Sequence, residues 1–423
     1  MAEVIKIEGQ HRLNGTVRVN SAKNATVALI PASILASHGT MKLLSVPAIE
    51  DVEALSELLK ELGCQVNGSG DSLDVNVDQM KNIPLESKNV TKLRASYYFM
   101  GALLGKYKQV QIKMPGGCYL GPRPIDLHLK GFEALGADIK YEQGSYILKA
   151  KELLGAKIYL DFPSVGATIN IMLAAVYAKG RTVIENSAKE PEIIDLASML
   201  NKMGANIRGA GTSEITIEGV ETLTSTVHEI IPDRIVAGTY LIIAAAMADK
   251  VVIENIIPHH LESLISKLEE MGVEMEVGVD QITVYGAKQM QAIDIQTRPY
   301  PGFATDLQQP LTTLLTQATG QSSILDTIYS ERFKHTIELQ RMGANIQVNQ
   351  AKAVINGPTP LYGDTVKATD LRAGAALVVA GLIAEGVTTI REIYHIDRGY
   401  ECIDEKLRAL GAKIWREEEV NNH

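Results

Sequence analysis

The sequence predicts an α/β protein of two domains, each built from three copies of a helix–strand–helix–strand–strand unit. Three observations lead there. A glycine-closed helix end recurs six times, two different kinds of helix alternate within each period, and the chain opens on a strand-like stretch that has no repeat of its own.

The recurring helix ends are LGCQV at 62, LGADI at 135, MGANI at 203, MGVEM at 271, MGANI at 342 and LGAKI at 410. Their spacing of 68 to 73 residues marks six copies of one supersecondary unit. Each glycine closes an amphipathic run such as VEALSELLKELG and precedes a short β-type stretch, so it reads as a helix C-cap. Upstream in each copy lies a second helix, apolar or small all round, as in ATVALIPASILAS, AGTYLIIAAAMA and AGAALVVAGLIA. Such helices belong inside, and the one-faced helices coat the outside. β-rich stretches such as RTVIENS, KVVIENI and TTIREIY follow the buried helices. Three units can pack their apolar helices together and enclose them with sheets. The sixth copy stops soon after AKIWREEEV, one strand short, and the opening EVIKIEG supplies a strand. The predicted domains are therefore residues 22–231 and residues 1–21 with 232–423, joined by two crossings that act as hinges.

Composition sets the outer limits. A net charge of −9 argues against a general nucleic-acid binder. The runs TYLIIAAAMA and AGAALVVAGLIA fall short of the roughly 18 to 20 residues that cross a bilayer, so no membrane segment is expected. MAEVIKIEGQ lacks the order of a signal peptide, and Cys64, Cys118 and Cys402 form no CxxC pair, which together predict a reducing cytoplasm. His128, His259 and His335 lack ligand spacing and read as structural or surface residues. The glycines match neither a P-loop nor a dinucleotide fingerprint, so no metal and no cofactor are expected. Nothing in the sequence requires more than one copy of the chain.

Polar residues recur at one architectural address, the start of the buried helices: Lys23 and Asn24, Arg94, Ser164, Asp233 and Arg234, Asp306, and Asp370 with Arg372. A second set falls in the turns before the outer helices: Arg123, His259 and His260, Arg332 and Arg398. Helix N-termini present free N–H groups and the positive end of the dipole. Adding these cations predicts an anion-binding cleft between the domains, arginine being suited to bidentate carboxylates and phosphates. Taken singly, an arginine there reads as a surface ion-pair partner and an aspartate as an N-cap. The loop PGGCYLGPRPID, 115–126, sets Cys118 among glycines, which predicts an exposed, movable thiol whose pKa Arg123 lowers.

These residues resemble the UDP-N-acetylglucosamine 1-carboxyvinyltransferases of the enolpyruvyl transferase family. SAKNA, LRAS, PGGCYLGPRPIDLH, SVGAT, PDR, TDLQ, ERF, TDLRAGA and YHIDRGYE carry the resemblance across essentially the whole chain. It implies the two-domain inverse α/β barrel and transfer of the enolpyruvyl group of phosphoenolpyruvate to the 3′-hydroxyl of UDP-N-acetylglucosamine, with release of phosphate, the first committed step towards peptidoglycan. It also implies roles. Lys23, Arg123 and Arg398 hold the phosphate, while Arg332 and Arg372 stand near the carboxylate. Asn24, Arg94, Arg123, Pro124, Ile125, Asp126, Leu127, Ser164, Val165, Asp306 and Ile328 surround the sugar nucleotide. Asp306 is the base for the hydroxyl, Asp370 orients Lys23 or joins in proton transfer, and Cys118 is the loop acid and nucleophile. Where the family often carries a lysine before SVGA, this chain has Phe162 and Pro163, so that contact is not carried over; Phe162 is either a core residue or packs on the uridine. Two alternatives stay open: a 5-enolpyruvylshikimate-3-phosphate synthase, which the cysteine loop weighs against, and a noncatalytic nucleotide-sugar sensor.

Overall fold

The structure is a computed structural model that describes residues 2–69, 71–114 and 125–419. Residues 2–20 with 232–419 form one compact unit, and residues 21–114 with 125–231 form another. Each has its own continuous apolar core.

Three central helices run through each core. In the unit of residues 21–231 they are Lys23–Ala32, Tyr98–Tyr107 and Val165–Ala175; in the other they are Arg234–Met247, Thr305–Leu315 and Leu371–Ile383. They are buried on every side once past the first turn: residues 235–245 and 372–382 have no exposed member. A helix in that position has no solvated face on which to place charge, which is why its sequence is apolar or small throughout. The fifth is the exception in composition. Gln308, Gln309, Thr312, Thr313 and Thr316 are fully buried there, and backbone carbonyls satisfy the hydroxyls, Thr312 donating to Gln308 O of its own helix at 2.8 Å and Thr313 to Ala376 O of the sixth at 2.9 Å.

The outer helices end as the glycines predict. Gly63, Gly136, Gly204, Gly272, Gly343 and Gly411 all have positive φ, between 87° and 109°. At each, the glycine N–H and the following N–H turn back to the last carbonyls of the helix, as Gly63 does to Lys60 O and Cys64 to Leu59 O. That is the Schellman pattern, and only glycine adopts its left-handed φ without a Cβ clash.

Every unit carries three sheets, and here the structure adds an element. Beside the three strands of each repeat lies a short strand that precedes the next central helix and pairs in parallel: Lys157–Tyr159 on Arg181–Glu185, Val227–Glu229 on Thr40–Leu44, Asp294–Gln296 on Gly320–Leu325, and Thr365–Lys367 on Val387–Arg391. Leu13–Arg18 does the same for Ala248–Glu254. The sheet of residues 109–149 has a single parallel bridge, Leu85 to Ile112, in that place. Strands of three residues are too short to show alternation. Ala2–Glu8 lies antiparallel between Val387–Arg391 and Lys413–Glu419, with Ile5 opposite both Ile390 and Arg416.

Gly204→Ala tests the cap geometry without a steric complication. Gly204 has φ of 109°, and the nearest atom to an added Cβ is Thr222 O at 4.0 Å. The substitution should lower stability by about 1–2 kcal/mol, the cost of a left-handed non-glycine residue. A denaturant midpoint equal to that of the unsubstituted protein would refute the cap assignment.

Candidate active site

In the unit of residues 2–20 and 232–419 the polar residues at the starts of the three central helices fall into two kinds. Asp233 and Asp370 are N-caps. Asp233 Oδ1 accepts from the N–H of Ile235 and Val236, and Asp370 Oδ1 from those of Arg372 and Ala373, all within 2.8–3.0 Å. Asp306 caps nothing. It sits inside the first turn of Thr305–Leu315, where Arg332 Nη1 donates to its Oδ1 at 2.7 Å and Arg372 Nη2 lies 3.6 Å from its Oδ2.

Both guanidiniums are 3% exposed as side chains, against 25% for Asp306. Burying two cations is tolerable only with an anion between them. Burial pushes the Asp306 carboxyl up, but Arg332 and Arg372 together outweigh it and hold the group far below the usual carboxylate range. Burial works against the charge on both arginines; Asp306 and Asp370 outweigh it at Arg332, and Tyr400 with Asp306 does so at Arg372. Each guanidinium also stands over a ring, Arg332 over Tyr329 at 5.5 Å and Arg372 over Tyr400 at 5.4 Å. Arg332 Nε and Arg372 Nη1 are buried donors with no acceptor among the described residues, which suits a further anion. His335, 1% exposed, lies in the same region with neither ring nitrogen bonded. Burial lowers its pKa to about 3, with Asp370 pulling up and Arg332 down, so it is neutral. Ile328 and Arg398 are half-buried, Arg398 at the end of the short helix Tyr394–Asp397.

In the other unit Lys23 opens the first central helix and pairs at 3.0 Å with Asp51, which is 3% exposed on the first turn of the outer helix Glu50–Glu61. Asn24 beside it is half-buried. Arg94 begins a one-turn helix, Arg94–Tyr97, and its guanidinium lies 5.8 Å from the Tyr97 ring centre. Tyr97 in turn packs on His128 at 4.8 Å, and Asn170, fully buried, bonds His128 Nδ1 at 2.8 Å while donating to Tyr97 O at 3.1 Å. Burial, reinforced by Arg94, lowers the His128 pKa to about 3. Ser164 caps the third central helix through Ala167 N–H at 3.1 Å. Any side chain at Gly166 would run into the Tyr97 hydroxyl at 2.5 Å and the His128 ring at 2.8 Å, so this glycine permits the close approach of the two helix starts. Ile125 is buried, Asp126 exposed, and Leu127 and Val165 half-buried.

The structure thus puts every predicted helix-start residue at a helix start, and it corrects some expectations. Phe162 is 42% exposed, which removes the core reading: Asp161 before it is tied to Lys130 at 3.2 Å, and Pro163 follows, holding the ring outside the packing. His259 is exposed and bonded to Glu262 at 2.8 Å, whereas His128 and His335 are buried. Cys118, Arg123 and Pro124 lie outside the described residues. Of the other cysteines, Cys64 is buried with its thiol pushed up to about 11, and burial raises that of exposed Cys402 as well, so neither offers a ready thiolate. Sequence reasoning missed Asp51, Tyr97 and Asn170. Asp51 sits in IEDVEAL, where an acidic residue already has a reason to be, the helix dipole. Among the described residues no cluster suits a metal ion, and no helix is long and apolar enough to cross a membrane.

Two units, each with three buried central helices, and a carboxylate held by two arginines at one helix start accord with the enolpyruvyl transferase class. Residues 7–407 match the EPSP synthase (3-phosphoshikimate 1-carboxyvinyltransferase) family, and the chain belongs to it. Relatives named UDP-N-acetylglucosamine 1-carboxyvinyltransferase 2 are 57% identical in Geobacillus kaustophilus, over 98% of this chain and 96% of theirs, and 57% identical in Bacillus subtilis, over 98% and 97%. Among solved structures, the enolpyruvyl transferase NikO from Streptomyces tendae superposes with a TM-score of 0.90 at 26% identity, covering 98% of this chain and 99% of that one. EPSP synthase from Acinetobacter baumannii, at 18% identity, 99% and 100% coverage and a TM-score of 0.75, shares the inverse α/β barrel fold.

The charge cluster has a pH signature. Because the folded pKa of Asp306 is depressed, its stabilisation is complete above the unfolded value of about 3.9 and fades as pH falls below it. Asp306→Asn should cost about 3 kcal/mol at pH 7 by leaving two buried guanidiniums without their anion. The gap between variant and wild type should stay flat down to about pH 5 and narrow below about pH 4. Denaturation curves from pH 3 to 8 check this; a gap that widens in acid would contradict the pairing.

Proposed function

We propose that this chain transfers the enolpyruvyl group of phosphoenolpyruvate to the 3′-hydroxyl of UDP-N-acetylglucosamine, releasing phosphate, in the cytoplasm, as the first committed step of peptidoglycan precursor synthesis. The observation that carries it is identity of 57–58% along nearly the full length of relatives bearing that activity's name. The solved EPSP synthases, at 18% and 19%, share the fold without that closeness, which sets the shikimate reading second. Both substrates are anions, and the site chemistry fits them.

In the proposed mechanism Lys23, Arg123 and Arg398 hold the phosphate of phosphoenolpyruvate, and Arg332 and Arg372 take its carboxylate. The free donors on these two arginines favour that assignment. Asn24, Arg94, residues 123–127, Ser164, Val165, Asp306 and Ile328 receive the sugar nucleotide. As the sugar oxygen bonds to C2, Asp306 accepts the hydroxyl proton while Cys118 delivers one to the C3 methylene, giving a tetrahedral adduct. Loss of phosphate from C2 and of a C3 proton then restores the double bond.

The arginine pairing explains how Asp306 becomes a base. Held by two guanidiniums, it is a poor proton acceptor. A substrate carboxylate that engages Arg332 and Arg372 withdraws their positive charge from Asp306 and raises its pKa at the moment a base is needed. Asp370, with Oδ1 committed to its helix cap and Oδ2 accepting a long hydrogen bond of 3.4 Å from the Gln309 amide, orients Lys23 or joins in proton transfer through Oδ2.

Phosphate release from phosphoenolpyruvate, measured with UDP-N-acetylglucosamine or shikimate 3-phosphate as acceptor, should occur with the first alone. Asp306→Asn should lower kcat by about 10²–10⁴-fold and sugar-nucleotide affinity by far less. Release with shikimate 3-phosphate alone would overturn the function, and an unchanged kcat would remove Asp306 from the mechanism.

A further inference from the structure

One buried carboxylate has no part in the mechanism above. Asp326 is fully buried, forms no ion pair among the described residues, and accepts five hydrogen bonds. Its Oδ1 takes the Thr297 hydroxyl at 2.9 Å and the backbone N–H groups of Ile328 and Tyr329 at 3.0 and 2.9 Å. Its Oδ2 takes the Thr305 hydroxyl at 2.8 Å and the Gln308 side-chain amide at 3.2 Å. The first group fixes the turn that leads to Arg332; the second fixes the helix start that carries Asp306. Gln308 Nε2 also donates to Arg332 O at 3.0 Å, closing the connection.

We propose that Asp326 and Thr305 are positioning residues that aim Arg332 at Asp306. The reason lies in the direction of the protons. An ionised carboxylate only accepts, so the Thr305 hydroxyl must spend its single proton on Asp326. Its lone pairs are then left for Arg332 Nη1, which donates to Thr305 Oγ1 at 3.2 Å and to Asp306 Oδ1 at 2.7 Å. The guanidinium is thereby held from two neighbouring residues of one helix turn, and its rotation away from Asp306 is opposed. An amide at 326 would disturb this, since its N–H₂ would meet either the Thr305 hydroxyl and the Gln308 amide or the Thr297 hydroxyl and two backbone N–H groups, all of which are donors to Asp326.

This rests on the enolpyruvyl transfer reading for its kinetic readout but not for its structural one. Thr305→Val keeps the shape and removes the hydroxyl; Thr305→Ser keeps the hydroxyl; Asp326→Asn disturbs the relay at its source. Thr305→Val should lower kcat/KM for phosphoenolpyruvate by about tenfold, the scale of one charge-assisted hydrogen bond, with Thr305→Ser restoring most of it. Asp326→Asn combined with Thr305→Val should be no worse than the more affected single variant. Crystal structures of wild type and Thr305→Val should show Arg332 Nη1 beyond hydrogen-bond distance of Asp306 in the variant. If Asp326→Asn does not fold, the two Thr305 variants decide alone. Wild-type kcat/KM in Thr305→Val, failure of serine to rescue it, additive losses, or an Arg332 that stays in place would each overturn the proposal. Absence of phosphate release by the wild-type protein with either acceptor would instead count against the function, leaving the crystallographic comparison as the test.

Discussion

Two guanidiniums that cannot reach bulk water set the terms for half of the polar architecture described above. Arg332 and Arg372 are each 3% exposed, so an anion must stand between them, and Asp306 is that anion. Its location follows from the helices. Cores of three apolar helices offer no solvated flank, and the first turn is where charge can emerge among unpaired backbone N–H groups. Asp233 and Asp370 are consumed there as caps, which leaves Asp306 as the carboxylate facing the arginines.

The same constraint connects resting structure to chemistry. A carboxylate clamped by two cations is stable and unreactive, and becomes basic only when those cations find another anion. In the mechanism proposed above, substrate binding and activation of the base are then one event, with the carboxylate of phosphoenolpyruvate as the trigger. Catalysis of this kind depends on where Arg332 points, and hence on the hydrogen bonds that fix its turn to the helix of Asp306.

Much of the fold was legible because it repeats. The glycines at 63, 136, 204, 272, 343 and 411 predicted six left-handed caps, and each has positive φ. Apolar composition all round gave the central helices their place. The parallel strands such as Lys157–Tyr159 were not legible, since three residues carry no period and their pairing depends on the strand beyond the next helix. At the site, the helix-start address placed Lys23, Arg94, Ser164, Asp306 and Arg372. What each touches was hidden. Asp51 looks like any acid at a helix start, Asp326 in ILDTIYS carries no pattern, and nothing local distinguishes capping Asp370 from Asp306, because the difference lies in side-chain direction. Of the two readings left open for Phe162, its exposure removes the core one; hydrophobicity alone says nothing of a ring that sits between a tethered aspartate and a proline.

The central claim, that Arg332 and Asp306 act as one buried charge pair, is tested most directly by a double-mutant cycle. Asp306→Asn, Arg332→Met and the combination would be compared with wild type by denaturant unfolding at pH 7. The account predicts a coupling energy of about 2–3 kcal/mol, because the first substitution strands a buried charge that the second removes. Losses that add to within about 0.5 kcal/mol would show that the two groups do not depend on each other and would contradict the account.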